Sequence, residues 1–355
     1  MRFGVRIAFV LGAVVALAAA AAGIIIYANN PGGNFYLIGW DELQHRQFAD
    51  VLLNDGAGNI FTNALQGEAL TGDATWGAGL VIGLSQWLFG TQLAYIVVKW
   101  VLHVIAALLL YGLVARHRNE LLARYICLFF LIYPPLLVYS ASFLKDDLVA
   151  SLVIIVSALI DRRRYLLGVA VMLLLLVVRA NAGLFPMIFL GWLWRARLSR
   201  LLLLAFAPLA AALFLIQQGY FERLMQVLYL PPLIVVFYVV KFLVGPLPTN
   251  ILNFDTEAVI IFPWYLLSFV AILVGFFLPG FYSSLRRNWF WILALLAVSL
   301  LPYLPYVEIA DVIGPRQFSS VGWLYLLLFY ELVLSRFRFT VGLYPAVRVQ
   351  WQPAT

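Results

Sequence analysis

Residues 123–160 read ARYICLFFLIYPPLLVYSASFLKDDLVASLVIIVSALI. Two apolar runs flank one polar island, Lys145-Asp146-Asp147. A bilayer core asks for about 20 apolar residues per helix. The runs on either side of the island therefore predict a helix, a turn and a second helix within a membrane. The island itself needs explaining, because ionised groups between membrane helices are costly and mark functional sites.

The rest of the chain agrees with that fold class. Its 355 residues are 65% hydrophobic and 11% charged, far from the quarter charged of a soluble domain. Mean hydropathy is +0.98. The expectation is an all-α, polytopic transmembrane bundle with juxtamembrane helices in its outer loops. The single cysteine, Cys127, excludes an intrachain disulfide and a Cys-rich metal site. The net charge of +7 does not point to nucleic acid, because most arginines sit in short clusters between apolar runs. Such clusters orient helices, with positive charge on the cytoplasmic side.

The N-terminal stretch MRFGVRIAFVLGAVVALAAAAAG has the look of a signal peptide. Its apolar run continues through GIIIYA, which predicts a retained first span instead. The basic clusters are Arg2/Arg6, Arg116/Arg118/Arg124, Arg162–Arg164, Arg195/Arg197/Arg200, Arg286/Arg287 and Arg336/Arg338/Arg348. Placing all of them inside predicts about ten spans: 7–27, 93–115, 121–140, 147–160, 164–179, 182–195, 200–218, 258–280, 289–306 and 320–335. Both termini are then cytoplasmic, and most Asp and Glu residues fall outside. The expected membrane is the bacterial inner (plasma) membrane. Residues 1–355 form one membrane domain, with outer loops at 28–91 and 219–257. Two apolar stretches within those loops, 76–90 and 227–246, are predicted to lie in the outer interface or to dip partway in. The second, broken by Pro231/Pro232, alternatively forms an extra helix.

Four features share the outer side. In NFYLIGWDELQHRQFADVLLNDG (34–56), Leu43, Phe48, Val51 and Leu52 recur at helical spacing, so an amphipathic helix starts near Asp41. A local reading makes Asp41 its N-cap with Gln44 closing a capping box, and pairs Glu42 with Arg46. A functional reading makes Asp41 a general base, tuned by Glu42 or His45, with Arg46 beside it. The second feature is the island. Its carboxylates suit a helix N-terminus, whereas Lys145 asks for an anionic partner, an aspartate or a phosphate. The third is VVRANAG (177–183), where Arg179 either snorkels or clamps a phosphate. The fourth is YVEIADVIGPRQFSS (306–320), with Arg316 in the same two roles. Lys145, Arg179 and Arg316 are thus candidate anion-binding cations, and Asp146 and Asp147 candidate site carboxylates.

On these residues a resemblance rests. WDELQHRQFADVLLNDG (40–56) resembles the first outer loop of type C membrane glycosyltransferases, above all the family 39 group of protein mannosyltransferases and aminoarabinose transferases. The order that follows is similar too: an interfacial helix ending in LFG, the helix LLLYGLVARHR (108–118), then LIYPPLLVYSASFLKDDLVASL (131–152) and GPRQF (314–318). Where the family commonly has Lys/His-Pro-Pro, TWGAG (75–79) stands here. The resemblance implies transfer of a sugar from a polyprenyl-phosphate-type donor to a glycan, lipid or protein acceptor on the outer side. It implies Asp41 as the base, Asp146 or Asp147 as a second acid, and Lys145, Arg179 and Arg316 on the donor phosphate. No cofactor follows from it; some members use a divalent metal and others none. Alternatives are a polysaccharide polymerase or ligase acting on a polyprenyl-diphosphate glycan and, in another class, a lipid or solute transporter. An acyltransferase would use a buried catalytic histidine, but His103 in span 93–115 reads as a satisfied core residue.

Overall fold

The structure, a computed structural model, describes residues 3–30, 37, 40–54 and 76–194, with short isolated pieces between 229 and 294. Among the described residues it is all-helical, with no strand. The helices are α1 (Phe3–Asn29), α2 (Trp40–Asn54), α3 (Trp76–Phe89), α4 (Ala94–His117), α5 (Glu120–Ile132), α6 (Pro134–Ser140), α7 (Asp146–Asp161) and α8 (Tyr165–Val178). A 3-10 turn, Ala180–Leu184, leads into α9 (Phe185–Trp194).

Two helices are long and apolar enough to cross a membrane by themselves, α1 and α4. At 1.5 Å per residue, α1 runs about 40 Å and α4 about 36 Å, against a hydrocarbon core of about 30 Å. α1 turns Val10, Leu11, Val14 and Ile25 outward and buries Ala16 and Ala20. Bulky aliphatics outside and small residues at the contact are what lipid-embedded packing favours.

The expected span over 121–140 appears as two helices, a broken span or a re-entrant loop. The chain bends by 44° between α5 and α6. Pro134 and Pro135 lack the N–H groups a continuous helix needs, and Tyr133, held before a proline, is extended (φ −62°, ψ 109°). Counted as one broken span, this pair is the third that could cross. The expected spans at 147–160, 164–179 and 182–195 appear as α7, α8 and α9, of 16, 14 and 10 residues. Neither α7 nor α8 reaches about 30 Å, so neither crosses the core alone by length; α9 is described as far as Trp194. The expected spans at 200–218, 258–280, 289–306 and 320–335, and the stretch 227–246, lie outside the described residues or only touch the isolated pieces.

α4 is the central helix, packed against α1, α3, α5 and α7, while α7 also packs on α8 and α9. At one end of the bundle the C-termini of α4, α7 and α9 meet around Asp161. Arg116 and His117 each reach its carboxylate at 2.6 Å, and the Trp194 indole donates to it at 3.1 Å. Arg118 Nη2 donates to the Trp192 carbonyl at 2.5 Å. Burial works against ionisation of Asp161. The donors from Trp194 and His117, with the charges of His117 and Arg116, outweigh it and hold the carboxyl below its ordinary range. The polar island lies at the opposite end.

Candidate functional site

Every residue from Tyr139 to Ile154 is buried, the turn 141–145 included. The turn is therefore no solvated loop. A buried turn must satisfy its own backbone groups. The partner comes from α4, where Tyr95, Lys99 and His103 follow one another at four-residue spacing and share a face. Lys99, fully buried, donates from Nζ to the carbonyls of Tyr139 (2.5 Å), Ser142 (2.5 Å) and Leu144 (3.0 Å). The Tyr95 hydroxyl donates to the Leu144 carbonyl at 3.3 Å. Ser142 closes the turn from within, its Oγ donating to Tyr139 O and accepting from Leu144 N.

The N–H at the tip of the turn goes elsewhere. Phe143 N donates to Glu42 Oε2 at 3.2 Å, and the Tyr27 hydroxyl donates to the same oxygen. Glu42, fully buried, thus joins α1, α2 and the turn. Phe143 is edge-on to Tyr27 (4.8 Å) and stacked on Tyr95 (6.1 Å). The Arg46 guanidinium lies 5.0 Å from the Phe143 ring centre, an attractive placement for a cation. Burial pulls the Arg46 guanidinium below its ordinary value, against the opposing pull of Asp50 and Glu42. Arg46 Nε donates to Gln92, which donates in turn to Asp50. A glycine makes the close approach of α1 feasible: a Cβ on Gly23 would lie 2.0 Å from the Ala141 carbonyl oxygen.

The two aspartates of the island part company. Neighbouring residues on a helix point about 100° apart. Asp146 pairs with Arg179, Oδ1 to Nη2, at 2.8 Å. Asp147 meets His103, Oδ1 to Nδ1, at 2.6 Å, and both side chains have 0% exposure. The His103 ring stacks on Phe130, 4.5 Å between centres. Lys145 occupies the N-cap position of α7 and is 6% exposed; its carbonyl accepts from Val149 N.

The structure therefore joins three of the four sequence features: 34–56 through Glu42, the island through the turn and Asp146, and 177–183 through Arg179. The fourth, with Arg316, lies outside the described residues. α2 begins at Trp40, so Asp41 stands within the first turn rather than ahead of it as the expected N-cap. Its side chain also lies outside the description. His45 is fully buried on α2. His103, expected to be a satisfied core residue, is satisfied at Nδ1; among the described residues Nε2 has no hydrogen-bond partner.

Sequence reasoning missed Lys99 and Tyr27. Lys99 carried a signal: a lysine inside an apolar span, with a tyrosine and a histidine one turn to either side. Tyr27 carried none, because a tyrosine near the end of a span is ordinary interfacial composition. Among the described residues no three His, Cys, Asp or Glu side chains form a metal-binding group. Comparison with family models, with curated proteins and with solved structures finds no match to this chain.

Proposed function

We propose that this chain is an integral-membrane glycosyltransferase that moves a sugar from a polyprenyl-phosphate donor to an acceptor at the bundle end opposite its arginine clusters. The observation that supports this most is the meeting of three distant segments: Glu42 on α2, the turn bearing Lys145, Asp146 and Asp147, and Arg179. Those segments carry the residue types the reaction needs. The acceptor hydroxyl oxygen attacks the anomeric carbon, the bond from that carbon to the phosphate oxygen breaks, and polyprenyl phosphate leaves with the electron pair. Asp41 takes the hydroxyl proton. Lys145 and Arg179 hold the phosphate, with Arg316 as a third cation. A guanidinium has five N–H groups, so Arg179 can keep Asp146 and still face a phosphate oxygen. Glu42 positions rather than reacts, holding the first turn of α2, and the backbone of Asp41 with it, against the turn that carries Lys145.

Asp41→Asn in membranes supplied with a polyprenyl-phosphate sugar should lose at least about 10²-fold in transfer rate, the value of a positioned base, with expression unchanged. Full activity would remove Asp41 as the base. Extraction of the purified chain should also release a polyprenyl phosphate.

A second reading, lipid or solute transport, draws on Lys99 and the His103–Asp147 pair. His103 lies about 14 Å along α4 from Ala94, nearer mid-membrane than a surface reaction requires. Movement of the donor across a proteoliposome bilayer without any acceptor would favour transport over transfer.

A further inference from the structure

The other end of the bundle, around Asp161, carries a feature that sugar transfer does not use. There α7 ends and the chain turns into α8 through Arg162, Arg163 and Arg164, all exposed. Paired main-chain bonds close α7: Arg164 N donates to the Leu159 carbonyl and Arg163 N to the Ile160 carbonyl, both at 2.9 Å. That pattern puts Arg163 in the left-handed region, at φ 59°, the only non-glycine residue there among the described residues. Glycine is the usual occupant of this position, because a Cβ is crowded in that conformation. The backbone therefore gives no reason for an arginine at 163, and the side chain must supply one.

The carboxylates nearby are engaged with other groups. Asp161 is held by Arg116 and His117, and Glu120 pairs with Arg124. Among the described residues, the side chains of Arg162, Arg163 and Arg164 form no ion pair and no hydrogen bond. The Arg162 guanidinium lies 3.9 Å from where a Cβ on Gly112 would stand, which ties the turn to the last turns of α4. α4, at about 36 Å, is longer than the hydrocarbon core, so its ends reach the level of the lipid headgroups. Exposed aromatics mark the same level, with Tyr125 on α5, Tyr165 on α8 and Trp194 on α9. Tyrosine and tryptophan favour the membrane–water interface. Directly after the arginines, α8 turns Leu166 (89% exposed), Leu167 and Val169 outward. Guanidinium groups beside an aromatic and aliphatic edge match a molecule with an anionic phosphate at one end and acyl chains at the other.

We propose that the Arg162–Arg164 turn is a binding surface for anionic phospholipid of the surrounding bilayer, with Arg163 held in its left-handed conformation to meet the headgroup phosphate. A guanidinium fork fits phosphate oxygens and keeps its charge. The aliphatic edge of α8 takes the acyl chains. This surface lies away from the cluster around Lys145 and stands whether or not the chain transfers a sugar.

The test is titration of the full chain in neutral detergent with dioleoylphosphatidylglycerol or dioleoylphosphatidylcholine, read as the rise of the thermal midpoint with lipid concentration. Phosphatidylglycerol should act at the lower concentration, and added salt should narrow the difference. Without lipid, Arg163→Gly should melt no lower than the parent, since glycine suits the turn. It should bind phosphatidylglycerol about fivefold more weakly, the value of one basic group near an anionic surface. Glutamine at all three positions should weaken binding about 10²-fold on the same basis. Parent affinity in Arg163→Gly overturns the role given to Arg163, and parent affinity in the triple variant overturns the surface. Equal response to the two lipids means an apolar surface without headgroup recognition, and equal response to inorganic phosphate means an anion site that needs no lipid; either overturns the proposal. A changed oligomeric state in the arginine variants, with lipid affinity intact, assigns the surface to a second copy of the chain instead.

Discussion

At the level of single residues, Lys99 shows how a charge is kept inside a helix bundle. Its ammonium has three donors and meets three carbonyls, all from one turn. The turn, for its part, is buried and cannot turn those carbonyls to bulk solvent. Lys99→Met keeps an unbranched side chain one atom shorter and removes the donors, and it leaves Glu42, Asp146 and Asp147 with one fewer compensating charge. A loss of about 3 kcal/mol or more is expected, as for breaking a buried ionic contact from one side, read as a lowered thermal midpoint in detergent. An unchanged midpoint would mean that the turn is held by other groups. Glu42 and Asp41 make a complementary point. The acidic pair was legible as a pair, but a one-residue step on a helix separates the two directions by about 100°. Only the fold could say that Glu42 is the one committed to Tyr27 and Phe143.

Elements meet here through backbone rather than through side chains alone. α1 touches the 141–145 turn at Gly23, and α3 touches the end of α8 at Gly77, where an added Cβ would fall 2.0 Å from the Val177 carbonyl oxygen. Neither contact can be eased by rotating a side chain, since both obstacles are main-chain oxygens. Gly23→Ala should therefore cost at least the ~1–3 kcal/mol of an overpacked core. It should also loosen the turn, read as faster proteolytic or hydrogen-exchange access to residues 139–145. An alanine variant as protected as the parent would show that α1 can shift without disturbing the site. Apolar runs gave away the helices themselves, including α3 as a short piece at 76–90. The bend at Tyr133 was also written in the sequence, as Pro134-Pro135, whose missing N–H groups interrupt the helix within the expected span.

At the scale of the whole molecule, polarity among the described residues gathers mainly at two ends. The arginine-rich end is clamped on Asp161, which collects partners from α4 and α9. Its folded-state carboxyl titrates below the ordinary value, so ionisation is favoured by folding. The stabilisation is present above the unfolded carboxylate value and is lost as pH falls through the folded one. Asp161→Asn should lower the thermal midpoint at neutral pH and flatten its decline in acid; parallel acid limbs for the two chains would show that the clamp does not contribute. The sequence by itself determined the apolar, membrane-like character of the chain and the helices of the described segments. Hydrophobic run length acts locally, residue by residue, and survives being read one segment at a time. Tertiary structure alone decided that the island is buried and that its aspartates divide between Arg179 and His103. It also decided that a lysine and a tyrosine from two other helices complete the cluster. The physical reason is that burial and pairing depend on which helices lie side by side. A turn between two apolar runs looks solvated until a neighbouring helix supplies the donors that let it go without water.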